Sequence, residues 1–259
     1  MPELPDVEGF RRVLAAHAVG KRIEDVVVLD DGVLRGVGAR RLREELRNQR
    51  FAEPRRLGKW LIAPVDGGPV VVLHFGMTGS FDWAPGADER RKHDRVIFVF
   101  GDGELRYRDM RKLQGLRLVD GDAELERLLA DTGPDALAVS RDRFRELLDG
   151  RRQLKALLTD QSVLAGLGNL LVDEILWRAK LNPHVPAASL DAEVVDALHR
   201  EMRKVLRSAV KAERVPPRTS WLTGRRDEPS GSCPRCGTTL EHGRVGGRGT
   251  VWCPRCQPG

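Results

Sequence analysis

The sequence predicts an α+β multidomain chain: an amino-terminal helix on a two-sheet β-sandwich, then a helical domain, then a small cysteine-bearing ribbon. Three observations predict it. Apolar residues recur at helical spacing over residues 3–18, short β-rich runs fill residues 22–119, and the pattern turns helical after Asp131-Thr132-Gly133-Pro134, through about residue 213. The expected domain boundaries are 1–130, 131–215 and 216–259.

Within the first part, Leu4, Val7, Phe10, Val13 and Leu14 share one helical face and Gly20 follows the end. Strands are expected at Val26 to Val28, Lys59 to Val65, Val70 to Phe75, Val96 to Phe100 and Leu116 to Val119. Asp66-Gly67-Gly68-Pro69 and Gly101-Asp102-Gly103 read as turns, and a short helix near 39–47 interrupts the series. Pro216-Pro217-Arg218 ends the last helix and opens a linker that includes Asp227-Glu228-Pro229-Ser230.

With 259 residues, 41% hydrophobic and 32% charged, the chain can bury sizeable cores. No stretch approaches the ~18 apolar residues of a membrane span, and no charged-then-apolar leader opens it. The net charge is +6, and residues 211–259 hold nine Lys/Arg against four Asp/Glu. A basic carboxyl end suits a grip on a polyanion, although such surfaces are often merely solvated.

All four cysteines lie in that tail. Cys233-x2-Cys236 is followed after sixteen residues by Cys253-x2-Cys256, a spacing that predicts one zinc ion. Two knuckles complete a tetrahedron and leave no open position, so the metal is structural; disulfides are disfavoured in a reducing compartment. Thr238 to His242 and Arg248 to Trp252 are expected to pair as a hairpin with Gly246-Gly247 at its tip. Arg248 follows that tip, where a guanidinium can enter a narrow groove. His242 is read as a surface residue.

Leu164-Ala165-Gly166-Leu167-Gly168-Asn169 leads into the apolar run from Leu170 to Leu176. The glycines allow a tight turn between two helices, and Asn169 reads as the cap of the second. A helix start left open in this way offers amides to a phosphate, or is an ordinary helix connection. Glu174, one turn into that helix, is read as structural.

Pro2 becomes the amino terminus once Met1 is trimmed, as expected before so small a residue, with Glu3 beside it. An α-amino group titrates near pH 7.7–8.0, against about 10.4 for lysine, so a useful fraction is neutral at pH 7. A neutral secondary amine attacks a carbonyl-like carbon and yields a cationic iminium, an electron sink that needs no further proton.

Pro2-Glu3-Leu4-Pro5-Asp6-Val7-Glu8 resembles the amino-terminal signature of the formamidopyrimidine-DNA glycosylase and endonuclease VIII family of DNA-repair enzymes, with Asp6 where that family usually has glutamate. The tail Gly247-Arg248-Gly249-Thr250 through Cys253-Pro254-Arg255-Cys256-Gln257 is similar to the family's zinc finger. The Gly168-Asn169 turn resembles its helix–two-turns–helix motif, which Lys155 upstream and Asn182-Pro183 downstream extend. His74-Phe75-Gly76-Met77-Thr78-Gly79-Ser80 and Lys92-His93-Asp94 also match family segments. Arg111-Lys112-Leu113 aligns with an Arg-x-Phe wedge, with leucine replacing the aromatic.

The resemblance implies a bifunctional enzyme that excises oxidised bases and cleaves abasic sites by β,δ-elimination through a Schiff base at Pro2. It implies Pro2, Glu3 and Lys59 as catalytic residues. Lys155, Asn169, Arg248, His93, Met77, Arg111 and Leu113 would touch DNA. The expected partner is double-stranded DNA carrying a damaged base or abasic site. A monomer is expected, cytoplasmic and nucleoid-associated if bacterial. Met77 and Arg111 lean towards the formamidopyrimidine-DNA glycosylase side, whereas Leu113 and a short 214–232 linker lean towards endonuclease VIII. The alternative is a catalytically silent lesion-binding protein on the same scaffold, in which a retained Met1 would make the Pro2 nitrogen an unreactive amide. A zinc-ribbon transcription or translation factor would not need Pro2, Glu3 and Lys59.

Overall fold

The computed structural model describes residues 1–86, 89–228 and 230–259. It divides into two compact units: Met1–Pro2 with Asp6–Asp131, and Glu3–Pro5 with Thr132–Gly259.

Among the described residues of the first unit, helix α1 (Leu4–His17) is followed by β1 (Asp25–Val28), α2 (Ala39–Leu46) and seven further strands. These are β2 (Arg55–Leu57), β3 (Trp60–Pro64), β4 (Val70–His74), β5 (Ser80–Pro85), β6 (Asp94–Phe100), β7 (Gly103–Arg108) and β8 (Gly115–Val119), before helix α3 (Asp122–Leu129). Two four-stranded antiparallel sheets result, ordered β1-β6-β7-β5 and β2-β3-β4-β8. Phe51, Phe75, Phe81, Phe98 and Tyr107 fill the core with Leu61, Ala63, Val71 and Leu73. The intervening residues Ile62, Val70 and Val72 pack with Leu125 of α3 on the other face. Both faces of β4 are thus covered, which is why its run Val70-Val71-Val72-Leu73 is continuously apolar rather than alternating.

The expected elements are present with ends shifted by a residue or more: the strand read from Lys59 starts at Trp60, because Gly58 and Lys59 form the turn of the β2–β3 hairpin. Strands β2, β5 and β7 and helix α3 were not expected. Strand β7 carries Glu104 and Arg106 into the interior, where charge pairing replaces apolar alternation. Arg106 Nε donates to Glu104 at 2.8 Å, and its Nη1 lies 3.7 Å from Asp94. Strand β5 ends in proline and, among the described residues, pairs only with β7, as an edge strand can.

In the second unit, α4 (Arg141–Leu147), α5 (Leu154–Leu158), α6 (Asn169–Ala179) and α7 (Ala192–Lys211) precede a hairpin of β9 (Glu241–Val245) and β10 (Arg248–Trp252). Ser140 caps α4 and Asp191 caps α7, each accepting an amide three residues on. Helix α7 buries Val195, Leu198, Met202, Val205, Leu206 and Ala209 at three- and four-residue spacing. Leu4 joins this helical core with no exposed surface, a burial worth about 1.5–3 kcal/mol. The first hairpin strand begins at Glu241, later than the expected Thr238. A two-residue tip forces Val245 opposite Arg248, and Gly246 (φ 55) and Gly247 (φ 77) supply the two positive φ angles it needs. Of the expected linker stretch 227–230, Pro229 lies outside the described residues.

Candidate active site and nucleic-acid interface

In the second unit the Glu3 carboxylate, 1% exposed, occupies the amino terminus of α6. One oxygen accepts from Gly168 N at 2.9 Å and Leu171 N at 3.1 Å, and the other from Leu170 N at 2.8 Å. Helix starts leave amides without partners, and a carboxylate there also complements the helix dipole. The amides expected to face a phosphate are therefore taken by Glu3. Asn169, expected as the cap, is instead the first helical residue after Gly168, and its side chain makes no cap bond. A Cβ on residue 168 would stand 2.2 Å from the Glu3 carboxyl carbon, so only glycine fits this position without displacing Glu3.

Asn169 instead donates through Nδ2 to the carbonyl of Gly249 at 2.8 Å. The same carbonyl accepts from Lys155 Nζ at 3.1 Å and Arg226 Nη2 at 2.8 Å. Lys155, expected to touch DNA, is wholly buried, with its ammonium 2.5 Å from Asp173 Oδ1. Burial, then the charges of Arg226 and Arg248, push that ammonium down to about 7, while Glu3 pulls it up. Asp173 also accepts from Arg226 Nη1 and, at 3.4 Å, from Val251 N. Three donors thus fix the backbone beside Arg248, which is itself exposed. Asp173, Arg226 and the Gly249 carbonyl were not anticipated; buried polar residues on an otherwise apolar helix were the available signal for Asp173. Glu174, expected to be structural, has a buried carboxylate that accepts from Arg178 at 2.7 Å and Thr223 N at 3.3 Å. Burial nevertheless pushes the Glu174 carboxyl up.

The four cysteine sulfurs lie within 4.8 Å of one another. Tetrahedral zinc with bonds near 2.3 Å sets sulfurs about 3.8 Å apart. The separations Cys233–Cys256 at 3.9 Å and Cys236–Cys253 at 3.5 Å fit that geometry. As thiolates, the four cysteines are suited to hold one structural zinc ion.

In the first unit, Pro2 is half-buried and Lys59 sits in the two-residue β2–β3 turn after Gly58 (φ 57). Arg56 ties this turn to α1: its Nη1 donates to the Gly58 carbonyl at 2.8 Å and its Nε to Glu8 at 3.3 Å. Burial pushes the Glu8 carboxyl up, but Arg11, Arg56 and Arg12 together hold it below the usual carboxylate range. Trp60, after Lys59, meets the His74 ring edge-on at 4.7 Å. His74 Nδ1 accepts from Gly76 N at 3.1 Å, and burial, with the charges of Lys59 and Arg117, lowers its pKa to about 4. His74 was read only as part of a matching segment.

Met77, Arg111 and Leu113 lie on two exposed loops. Thr78 donates to Asp109 at 2.5 Å, and the Arg111 amide donates to both at 3.1 Å. Arg111 Nη1 then lies 3.0 Å from Met77 Sδ, so these two expected residues are in contact. Leu113 (51% exposed) and Met77 (41%) are apolar side chains held in solvent without a core to explain them. His93, at φ 78, lies 2.9 Å from Arg95, whose Nε donates to the Asp109 carbonyl.

Residues 1–116 match the formamidopyrimidine-DNA glycosylase N-terminal domain, 132–219 its H2TH domain, and 232–259 the zinc finger found in FPG and IleRS. A formamidopyrimidine-DNA glycosylase of Bacillus cereus is 37% identical over 278 aligned positions, covering 100% of this chain and 99% of that protein. That of Geobacillus kaustophilus is 37% identical, covering 99% and 100%. Both alignments are longer than this 259-residue chain. Among solved structures, the Lactococcus lactis enzyme non-covalently bound to DNA containing an abasic site superposes with a TM-score of 0.87 at 30% identity, covering 100% of both chains. Its complex with DNA containing Fapy-dG gives 0.88 at 30% identity, covering 99% of this chain and 100% of that one. The chain belongs to the formamidopyrimidine-DNA glycosylase family of base-excision DNA glycosylases with abasic-site lyase activity.

Proposed function

We propose that this chain, acting as a monomer, binds double-stranded DNA at a damaged base or abasic site and uses Pro2 as nucleophile and Glu3 as the proton-handling group. The observation that carries the reading is the Glu3 carboxylate, held by the amides of Gly168, Leu170 and Leu171 with Pro2 as its neighbour in the chain. Both Glu3 oxygens accept from amides, the arrangement of an ionised carboxylate, so the group serves first as base and then as acid.

Extruding the damaged nucleotide exposes its sugar. With Met1 removed, the Pro2 nitrogen attacks C1′ and the base leaves. Glu3 takes the proton that the Pro2 nitrogen loses and passes it to the sugar O4′ as the ring opens to the iminium. The iminium acidifies C2′; loss of a C2′ proton expels the 3′ phosphate, and a second elimination releases the 5′ phosphate. Lys59, Asn169 and Arg248 contact phosphates, and Lys155 acts through the Gly249 carbonyl that it helps to fix. Met77, Arg111 and Leu113 fill the space left by the extruded base, and a leucine suffices to part a base step. His93 contacts the backbone. Among the described residues no helix is long and apolar enough to cross a membrane, and the curated relatives are bacterial; we place the enzyme with the nucleoid.

Borohydride added during reaction with abasic-site DNA tests the reading. Reduction of the iminium traps a covalent complex with the mature protein. A protein whose amino terminus is blocked by acylation should trap none; equal trapping would remove Pro2 from the mechanism.

A further inference from the structure

Asn169, Asp173 and Trp177 follow one another at four-residue intervals along α6 and so share one face. Each contacts the cysteine ribbon. Asn169 reaches the Gly249 carbonyl and Asp173 the Val251 amide. Trp177, 5% exposed, donates its indole N–H to Cys233 Sγ at 3.3 Å. Its ring packs with Leu222, Leu240, Val251, Cys233 and Cys253. Arg235, inside the first Cys-x2-Cys knuckle, lies over that ring at 4.4 Å and donates to the Trp177 carbonyl at 3.1 Å.

We propose that Trp177 is an outer-sphere positioning residue of the zinc site, its indole N–H bonding the Cys233 thiolate and holding the metal-loaded knuckle on α6. The chemistry favours this arrangement. Four thiolates around Zn²⁺ leave a net double negative charge, and a buried anionic sulfur needs donors to replace water. An indole N–H is a donor only, so burying it also demands an acceptor, which the thiolate supplies. Arg235 adds positive charge over the same ring and caps a carbonyl in the last turn of α6. The knuckle is thereby joined to the helix that starts at Asn169, so metal retention and placement of the ribbon share one bond.

The test uses the full-length zinc-loaded protein and compares Trp177→Phe with Trp221→Phe, a buried tryptophan whose ring faces Arg178 at 4.8 Å. Outer-sphere donors are typically worth 10–100-fold in metal affinity. Trp177→Phe should weaken zinc retention against a chromophoric chelator by about that factor, while Trp221→Phe matches the wild type. With cobalt in place of zinc, the thiolate-to-metal charge-transfer band of Trp177→Phe should move to lower energy, because the sulfur loses its hydrogen bond. Wild-type retention together with an unmoved band would overturn the proposal. Should Trp177→Phe fail to fold, the unmodified protein loaded with NMR-active cadmium decides: the Trp177 indole proton should show scalar coupling to the metal through sulfur, and absence of that coupling overturns the proposal.

Discussion

Glu3 and Gly168 lie 165 residues apart in the chain and are joined by a 2.9 Å hydrogen bond that leaves no room for a side chain at position 168. Gly168→Ala should therefore displace the Glu3 carboxylate while the zinc ribbon keeps its metal. Base excision in single turnover should fall by at least about tenfold, since misplacement of a catalytic group by even 1 Å can cost about 10²-fold. Wild-type excision by this variant, with intact zinc content, would detach Glu3 from its helix seat.

Glu3→Gln keeps the size of the side chain but removes the proton-exchanging oxygen pair. Its NH₂ group would also meet an amide N–H where an acceptor now stands. Base excision should fall by about 10²–10⁴-fold, while binding to DNA containing a non-cleavable abasic analogue remains measurable. A rate equal to wild type would end the proton-transfer assignment.

Much of this site was legible in sequence, for identifiable reasons. The four cysteines declare a zinc site because ligand spacing within each knuckle is local. Pro2 and Glu3 stand out because their chemistry depends on position in the chain. The three-amide seat of Glu3 was not legible, since it joins residues with no sequence proximity, and Asn169 looked like a cap because nothing local revealed a carboxylate arriving from residue 3. Strand β7 escaped notice because Arg106 and Glu104 are buried as a pair, which hides the alternation that marks a strand.

Arg248→Ala should leave zinc bound and lower affinity for duplex DNA. The magnitude of the slope of log affinity against log salt should fall by about 0.9 for one lost phosphate contact. Titrations at several salt concentrations check this; an unchanged slope places Arg248 away from the backbone.

His74 is held neutral, with its pKa lowered from 6.5 to about 4. Below pH 6.5 the unfolded chain binds a proton that the folded one refuses, so stability falls as pH drops from 6.5 towards 4 and levels off below that. The loss amounts to at most about 3 kcal/mol. His74→Gln should flatten this part of the profile in urea unfolding measured across the same range. A parallel profile would show that the acid sensitivity arises elsewhere.

Among the described residues of the linker between α7 and the ribbon, Thr223 is held by Glu174, and Arg226 by Asp173 and the Gly249 carbonyl. A segment so tied has little chain left to cover an everted purine. An unpaired polar edge costs roughly 1–3 kcal/mol, or about five- to 150-fold. Excision of 8-oxoguanine opposite cytosine should therefore be slow relative to ring-opened purines or oxidised pyrimidines, with abasic-site cleavage robust. Single-turnover rates in one duplex sequence, with enzyme in excess, decide it; 8-oxoguanine as the fastest substrate would refute the inference.

The convergence of Lys155, Asn169 and Arg226 on the Gly249 carbonyl has an evolutionary consequence. The shared acceptor is a peptide oxygen, which every amino acid carries. A Cβ added at 249 would meet nothing nearer than Arg226 Nη2 at 3.8 Å. Position 249 can therefore drift among residue types without loosening the strand beside Arg248. The three donors cannot, because each is a particular side chain of a particular length. Selection on where that strand sits falls on residues 155, 169 and 226, distant in sequence from the position they hold.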